Sequence, residues 1–341
     1  MKLIKTKDAV GHVLCHDMTQ IIKGVTKDAI FRKGHVVTEE DIPVLLSIGK
    51  DNIYIWEKEE GMLHEDDAAE VLCEICKGVN IDRANVKEGK IDLFAGKEGL
   101  FKVNVDRLNK VNSFGDMMIA TIHSNIPVKQ GDKIAGTRII PLLIEEEKMI
   151  EAKSIAGVEP LLNVIPFVHK KVGIITTGNE VFYGRIKDAF TPVLIEKLGE
   201  FDCEVISHVI LNDDHTKITS TILDMINQGA DMVLCSGGMS VDPDDKTPLA
   251  IKNTGANIVT YGAPVLPGAM FLLSYYQDNI PVIGLPGCVM YSKRTVFDLV
   301  LPRLMADDKV TREDISKLGH GGLCLSCNVC TYPNCGFGKG M

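Results

Sequence analysis

An α/β fold with a mostly parallel sheet is predicted for the second half of this chain, behind a β-rich α+β region, and three observations carry it. Between Lys171 and Met305, short apolar β-branched runs alternate with segments of helical length. That alternation implies a sheet with helices on both faces, a three-layer unit. Turn-forming residues adjoin several of those runs, at Thr177-Gly178, Gly237-Gly238, Pro267-Gly268 and Pro286-Gly287. Ligands in such sheets bind beyond the carboxyl ends of the strands, so these turns can share one crevice.

The elements follow in order. Thr38-Glu39-Glu40-Asp41 resembles a capping box opening a short helix that stops at Gly49, and Ile53 to Trp56 reads as a strand. Asp66 to Lys77 reads as a helix with Cys73 and Cys76 on its apolar face. Those two are expected to be core thiols, because a free cysteine behaves as a small hydrophobe. Short β segments with glycine turns surround these, as in Val128 to Arg138. Pro160, Pro166 and the Lys170-Lys171 pair break the pattern, which places a boundary between Ser154 and Lys170.

Beyond it, Lys171 to Thr176 is a strand, and Thr191-Pro192 opens a helix with a hydroxyl cap and proline at its first position, ending near Gly199. Glu204 to Leu211 is the next strand. Asn212-Asp213-Asp214 caps a helix running to Gln228, with Ile218, Ile222, Met225 and Ile226 on one face. Met232 to Cys235 follows, then strands at Ile258 to Tyr261, Met270 to Tyr276 and Pro281 to Leu285, and a helix from Val289 to Met305.

A chain of 341 residues with 45% hydrophobic content can bury more than one core. No apolar run reaches 18 residues and the first residues are charged throughout, so neither a membrane span nor a secretory leader is expected, and a cytoplasmic location is. The net charge of −9 argues against a nucleic-acid partner.

The stretch Leu234 to Pro248 bears the chemistry. Gly237 and Gly238 permit a positive φ and close approach to an anion, Ser240 adds a donor, and Asp242, Asp244 and Asp245 supply hard oxygens of the kind Mg²⁺ prefers. A plain turn followed by a solvated acidic loop is the bland alternative. No Gly-Lys pair is followed by Ser or Thr and no GxGxxG follows a strand, so neither a Walker loop nor the simplest dinucleotide site is present. Ser240 fails the nucleophile-elbow pattern.

Four of the ten cysteines, Cys324, Cys327, Cys330 and Cys335, fall in the last eighteen residues. The first three have the C-x₂-C-x₂-C spacing of iron–sulfur ligands, and the fourth arrives one residue late, so a [4Fe–4S] cluster or a Zn²⁺ ion is expected there.

Taken together, Thr177-Gly178-Asn179-Glu180, Ser236 through Asp245, Pro267-Gly268 and Gly284-Leu285-Pro286-Gly287 resemble, in order and spacing, the molybdopterin-binding domain shared by molybdopterin molybdenumtransferases, adenylyltransferases and CinA-like proteins. The resemblance implies a domain over 170–306 and an N-terminal region over 1–165 like the transferase arm, to which this sequence adds the Cys-rich tail over 307–341. It implies molybdopterin or its adenylated form as ligand, molybdate as substrate, and Mg²⁺-dependent insertion with release of AMP. Glu180 and Asp245 then match the catalytic and metal-binding acids, with Asp242 beside them. Thr177, Gly178, Ser236, Gly237, Gly238, Ser240, Pro267, Gly268, Pro286 and Gly287 match the pterin-phosphate cradle. Lys293 and Arg294 are expected to add positive charge nearby. A homodimer and a molybdoenzyme apoprotein are the implied partners.

The chain departs from the transferase at Asn179, where an aspartate is usual, at Cys288-Val289 in place of Asn-Pro, and in having only 36 residues after Met305 where the transferase has a β-barrel. Asp242 to Pro248 looks more like the CinA loop. A binding carrier without turnover and a CinA-like nucleotide pyrophosphatase therefore stand beside the transferase reading.

Overall fold

The computed structural model describes residues 2–55 and 60–340. Trp56, expected at a strand end, lies outside them. The chain divides into two compact units, one of Met1–Gly96, Val103–Ile122 and Gln130–Asn163, the other of Lys97–Lys102, His123–Lys129 and Val164–Met341.

Among the described residues, the first unit is built of short antiparallel strands and four α-helices. Its largest sheet runs Ile81–Arg83, Lys90–Ala95, Lys133–Ile139, Met117–Thr121. Ile91, Leu93 and Ala95 are buried in alternation, as a two-residue period requires. Helix Glu65–Cys76 turns Ala68, Ala69, Leu72 and Cys76 inward. Cys73 and Cys76 are 2% and 0% exposed, and burial raises both thiols above their ordinary pKa, so this CxxC is core. The earlier helix spans Asp41–Ser47, and only half of its expected capping box forms: Asp41 accepts from the Thr38 amide and hydroxyl, each at 2.8 Å.

In the second unit, β1 (Lys170–Thr177), β2 (Cys203–Leu211) and β3 (Met232–Ser236) are joined through α1 (Asn179–Phe182), α2 (Phe190–Leu198) and α3 (His215–Asn227). Then come α4 (Thr247–Asn253), β4 (Asn257–Tyr261), β5 (Leu272–Tyr276), β6 (Ile280–Leu285), α5 (Val296–Met305) and α6 (Arg312–Lys317). The sheet order is β2-β1-β3-β6-β5-β4. The first four strands are parallel, and β5 and β4 are antiparallel. Helices cover both faces: Leu194 and the α5 side chains pack on Val172, Ile174 and Leu234, while Ile218, Ile222 and Ile251 pack on Ile175, Val233 and Cys235. This is the three-layer α/β unit expected.

Three local expectations change. Helix α2 begins one residue before Thr191, because Asp188 Oδ1 accepts from the Phe190 and Thr191 amides at 2.8 and 3.2 Å. The Thr191 hydroxyl is thereby turned inward, onto Asp188 and His208. The predicted helix from Val289 is instead a 3₁₀ turn, Gly287–Met290, followed by α5, which starts at Val296 under a capping box of Thr295 and Asp298. Helix α4 was not anticipated, since seven residues behind an acidic loop carry too little periodicity to register.

The Cys-rich tail is docked on the second unit. Phe337 is 5% exposed in the core cluster, with Cys324, Tyr332 and Cys335 packed against it. The Cys324 amide donates to the Leu266 carbonyl and the Leu266 amide to Gly322, both at 2.8 Å.

Candidate functional site

Because β1, β3 and β6 are parallel and in register, with Thr176 opposite Ser236 and Ser236 opposite Leu285, their carboxyl ends lie side by side. The chain turns from β1 to β2 on one side and returns to β3 on the other. The gap beyond β1 and β3 is therefore the switch point at which open α/β sheets bind ligands.

The two glycine turns meet there. Gly237 and Gly238 have φ of 89° and 56°. A Cβ on Gly237 would stand 2.1 Å from the Thr177 carbonyl oxygen, and one on Gly238 would stand 2.9 Å from Thr247 Oγ1 and 3.1 Å from Thr177 Oγ1. Those hydroxyls are 3.1 Å apart, and the Thr247 amide donates to Gly238 O at 3.2 Å. Met239 fastens the loop by packing on Gly284 of β6, where a Cβ would lie 2.5 Å from its sulfur. Tyr261 donates to the Met239 carbonyl at 2.9 Å.

Two acids contact these turns, Glu180 and Asp213. The Glu180 carboxyl folds back over Gly178, whose φ is 137° and whose Cβ would lie 2.8 Å from Oε1. Asp213, at the end of β2, accepts from the Asn179 amide at 3.0 Å. Burial raises the Asp213 carboxyl above the usual range, the Asn179 bond opposes it, and Glu180, Asp245 and Asp244 add to the rise. Four carboxylates thus share one electrostatic neighbourhood. Asp245 closes its own loop, taking the Asp242 amide on Oδ2 at 3.3 Å and giving its amide to Asp242 O at 3.0 Å. Asp242, Asp244 and Ser240 are exposed. Next to Asp213, Asn212 Oδ1 is buried with no hydrogen-bond partner among the described residues.

Other expected residues stand elsewhere. Ser236 is fully buried on the α2 face, its hydroxyl 3.4 Å from Thr176 Oγ1, because strand alternation puts it opposite to Thr177. Gly268 is explained by packing, since a Cβ there would lie 2.5 Å from Val296 Cγ1. The Pro267 carbonyl accepts from Val296 at the start of α5. Pro286 is buried, whereas Gly287 faces open space. Lys293 and Arg294 do not serve the crevice: Lys293 Nζ donates to Asn328 O at 2.8 Å, and Arg294 pairs with Glu200 and Asp298 at 2.8 and 3.1 Å. Cys327 and Cys330 are exposed while Cys324 and Cys335 are half-buried. Among the described residues, no three His, Cys, Asp or Glu side chains are gathered closely enough to hold a metal, in the tail or in the crevice. Asp213, Asn212 and Met239 were missed as site residues. Asp213 reads locally as a helix cap, although its place after the β2 run, like Thr177 after β1, was the available signal.

Residues 173–306 match a family model described as "Probable molybdopterin binding domain", and residues 3–57 match one described only as a domain of unknown function. A molybdopterin molybdenumtransferase of Synechococcus elongatus is 26% identical over 190 residues, 52% of this chain and 45% of that protein. A CinA-like protein of Mycobacterium avium is 34% identical over 80 residues, 24% of this chain and 18% of that protein. The chain thus spans less than half the length of these curated relatives. Among solved structures, the molybdopterin biosynthesis enzyme MoaB of Thermus thermophilus is 21% identical, covering 40% of this chain and 91% of that one with a TM-score of 0.33. The protein CinA of Thermoplasma acidophilum is 18% identical, with coverages of 40% and 98% and a TM-score of 0.33.

Proposed function

We propose, for a chain whose residues 173–306 carry a molybdopterin-binding domain, that it acts in molybdenum cofactor biosynthesis, inserting molybdate into adenylated molybdopterin with release of AMP. The observation that carries this reading is the convergence of Gly237 and Gly238 on Thr177 at the switch point, with Glu180 folded over Gly178 and Asp213 tied to the Asn179 amide. Glycine turns admit a phosphate, but four carboxylates repel one unless a cation stands between them. The donors there are all hard oxygens, which suits Mg²⁺; Glu180, Asp213 and Asp245 are the residues that would hold it, and because no three acids are gathered among the described residues they would have to close on the ion with the substrate's phosphate. When bound, the ion supplies charge neutralisation on the phosphoanhydride. The chain's own part is positioning. The Met239 plug and the Thr177–Thr247 contact hold the glycine turns, Asn212 Oδ1 offers an acceptor, and Ser240 and Gly287 are exposed.

A CinA-like nucleotide pyrophosphatase is the second reading, favoured by the 80-residue match at 34% identity. A carrier that binds without turnover is the third. Incubation with adenylated molybdopterin, Mg²⁺ and molybdate separates them. AMP release that needs molybdate supports insertion, cleavage of a nucleotide pyrophosphate bond without molybdate supports the pyrophosphatase, and tight binding with neither reaction supports a carrier. The same reading makes the protein a cytoplasmic homodimer that hands its product to an apoenzyme. Among the described residues no helix is long and apolar enough to cross a membrane. For the tail, the Cys spacing alone supports a [4Fe–4S] cluster or Zn²⁺. Its sulfurs are not gathered, so binding would require the tail to rearrange, and metal analysis of anaerobically purified protein tests it.

A further inference from the structure

The first unit holds a cavity of about 290 Å³, formed by four separate segments. His16 and Asp17 stand on one side, Arg32 and Lys33 on another, and the first turn of helix Glu65–Cys76 lies across from the tight turn at Asn85 to Glu88. Its walls are latched. Lys87 and Lys90 exchange backbone hydrogen bonds at 3.0 Å, with Glu88 and Gly89 at φ of 50° and 67°, the conformation a two-residue hairpin demands. The Gly89 amide donates to Asp66 Oδ1 at 3.1 Å, and Lys33 donates to Asp66 Oδ2 and to His64 Nδ1, each at 2.9 Å. His64 therefore accepts at Nδ1 and donates from Nε2 to the Cys15 carbonyl at 2.8 Å.

Glu65 is the buried member. It is 8% exposed and lines the cavity, and its Oε2 lies beneath the turn, 2.9 Å from where a Gly89 Cβ would be. Its carboxyl oxygens are not sealed away, since the buried side-chain atom without a partner among the described residues is Asn212 Oδ1; they open onto the cavity. Burial pushes its pKa up to about 7, Asp66 and Glu88 add to the rise, and Arg138 and Lys33 oppose it. His16, held below its ordinary value chiefly by burial, is uncharged at neutral pH. At the mouth the polarity reverses. Arg32 and Lys87 are 66% and 59% exposed, and their contacts with Asp17 and Asp28 are long, at 3.5 to 4.0 Å.

A carboxyl that opens onto a cavity favours a ligand that brings a donor to it, and loosely paired cations at exposed positions of the same cavity favour an anionic far end. We propose that this cavity binds a small zwitterion, its ammonium group donating to Glu65 and its carboxylate or phosphate held by Arg32 and Lys87. The volume suits a ligand of amino-acid size. An ammonium binds the ionised carboxylate, so binding expels the Glu65 proton and tightens as pH rises through about 7.

Calorimetric titration of the full chain with β-alanine, phosphoethanolamine, propylamine and propionate, at pH 6 and pH 8, tests this. At least one zwitterion is expected to bind, roughly tenfold more tightly at pH 8, and both single-ended probes more weakly. Preference for phosphoethanolamine identifies phosphate as the outer group, and preference for β-alanine identifies carboxylate. Glu65→Gln should weaken binding about tenfold at pH 8 and abolish the pH dependence. Arg32→Ala, at an exposed side chain, should weaken the zwitterion but not propylamine. Glu65→Gln is expected to be more stable than the parent at pH 8, so only a loss of the folded circular dichroism spectrum disqualifies it, and the Arg32→Ala comparison then decides. Saturation by neither zwitterion at either pH, or equal binding of propylamine, overturns the proposal.

Discussion

At Gly237, Gly238 and Gly287 the same residue type does different things, and substitution tells them apart. Gly237→Ala drives a Cβ into the Thr177 carbonyl at a positive φ and should cost about 2–4 kcal/mol in urea unfolding. Gly238→Val should likewise disturb the Thr177–Thr247 contact. Gly287→Ala meets nothing within 4 Å and should leave the unfolding midpoint unchanged, so any loss of pterin binding there would report the ligand's approach. Asp245→Ala, in an exposed loop, should abolish Mg²⁺-dependent AMP release while the circular dichroism spectrum is retained; unchanged release removes Asp245 from the reaction. Glu65 has a pH signature of its own. Its folded-state pKa of about 7 lies above the ordinary glutamate value, so the folded state holds a proton that the unfolded state gives up. Stability contributed by this group should fall as pH rises from about 4.5 to 7 and then level off. Glu65→Gln should therefore raise the urea midpoint at pH 8 and change it little near pH 4.

Among the elements, α5 shows why a sequence reading overran. Asp298 is 4% exposed, caps the helix by accepting from the Thr295 amide at 2.7 Å, and also takes Lys197 Nζ at 2.6 Å and Arg294 at 3.1 Å. The apolar residues before it suit a longer helix, but this buried charge network sets the start at Val296. Removing one member leaves Lys197, 6% exposed, without its anion. Asp298→Ala should thus cost about 3–5 kcal/mol by chemical unfolding, several times the loss from an exposed cap.

For the second unit as a whole, the tail is part of the packing. Phe337 lies in the main core cluster, Tyr332 donates to the Asp298 carbonyl at 3.2 Å, and a Cβ on Gly338 would lie 2.4 Å from a Leu299 methyl. Burying one such aromatic side chain contributes about 1.5–3 kcal/mol. Deleting residues 323–341 should lower the melting temperature by several degrees, measured by calorimetry; an unchanged transition would mean the tail adds nothing to the fold.

The sequence by itself determined the alternation of strands and helices, the buried Cys73-Cys76 pair and the glycine turns at the strand ends, because periodicity and turn chemistry are set by neighbours along the chain. It also led us to expect Thr177, Gly178, Glu180, Gly237, Gly238 and Asp245 near one crevice, because parallel strands in a layered sheet carry their turns to one edge. Only the tertiary structure decided which side chains face it. Ser236 is excluded by strand parity, Gly268 is occupied by Val296, and Lys293 and Arg294 are drawn off by Asn328, Glu200 and Asp298. Asp213 comes in from the turn after β2, where it accepts from the Asn179 amide. The Glu65 cavity was illegible for the same reason, since its walls come from four segments joined only by long-range contacts.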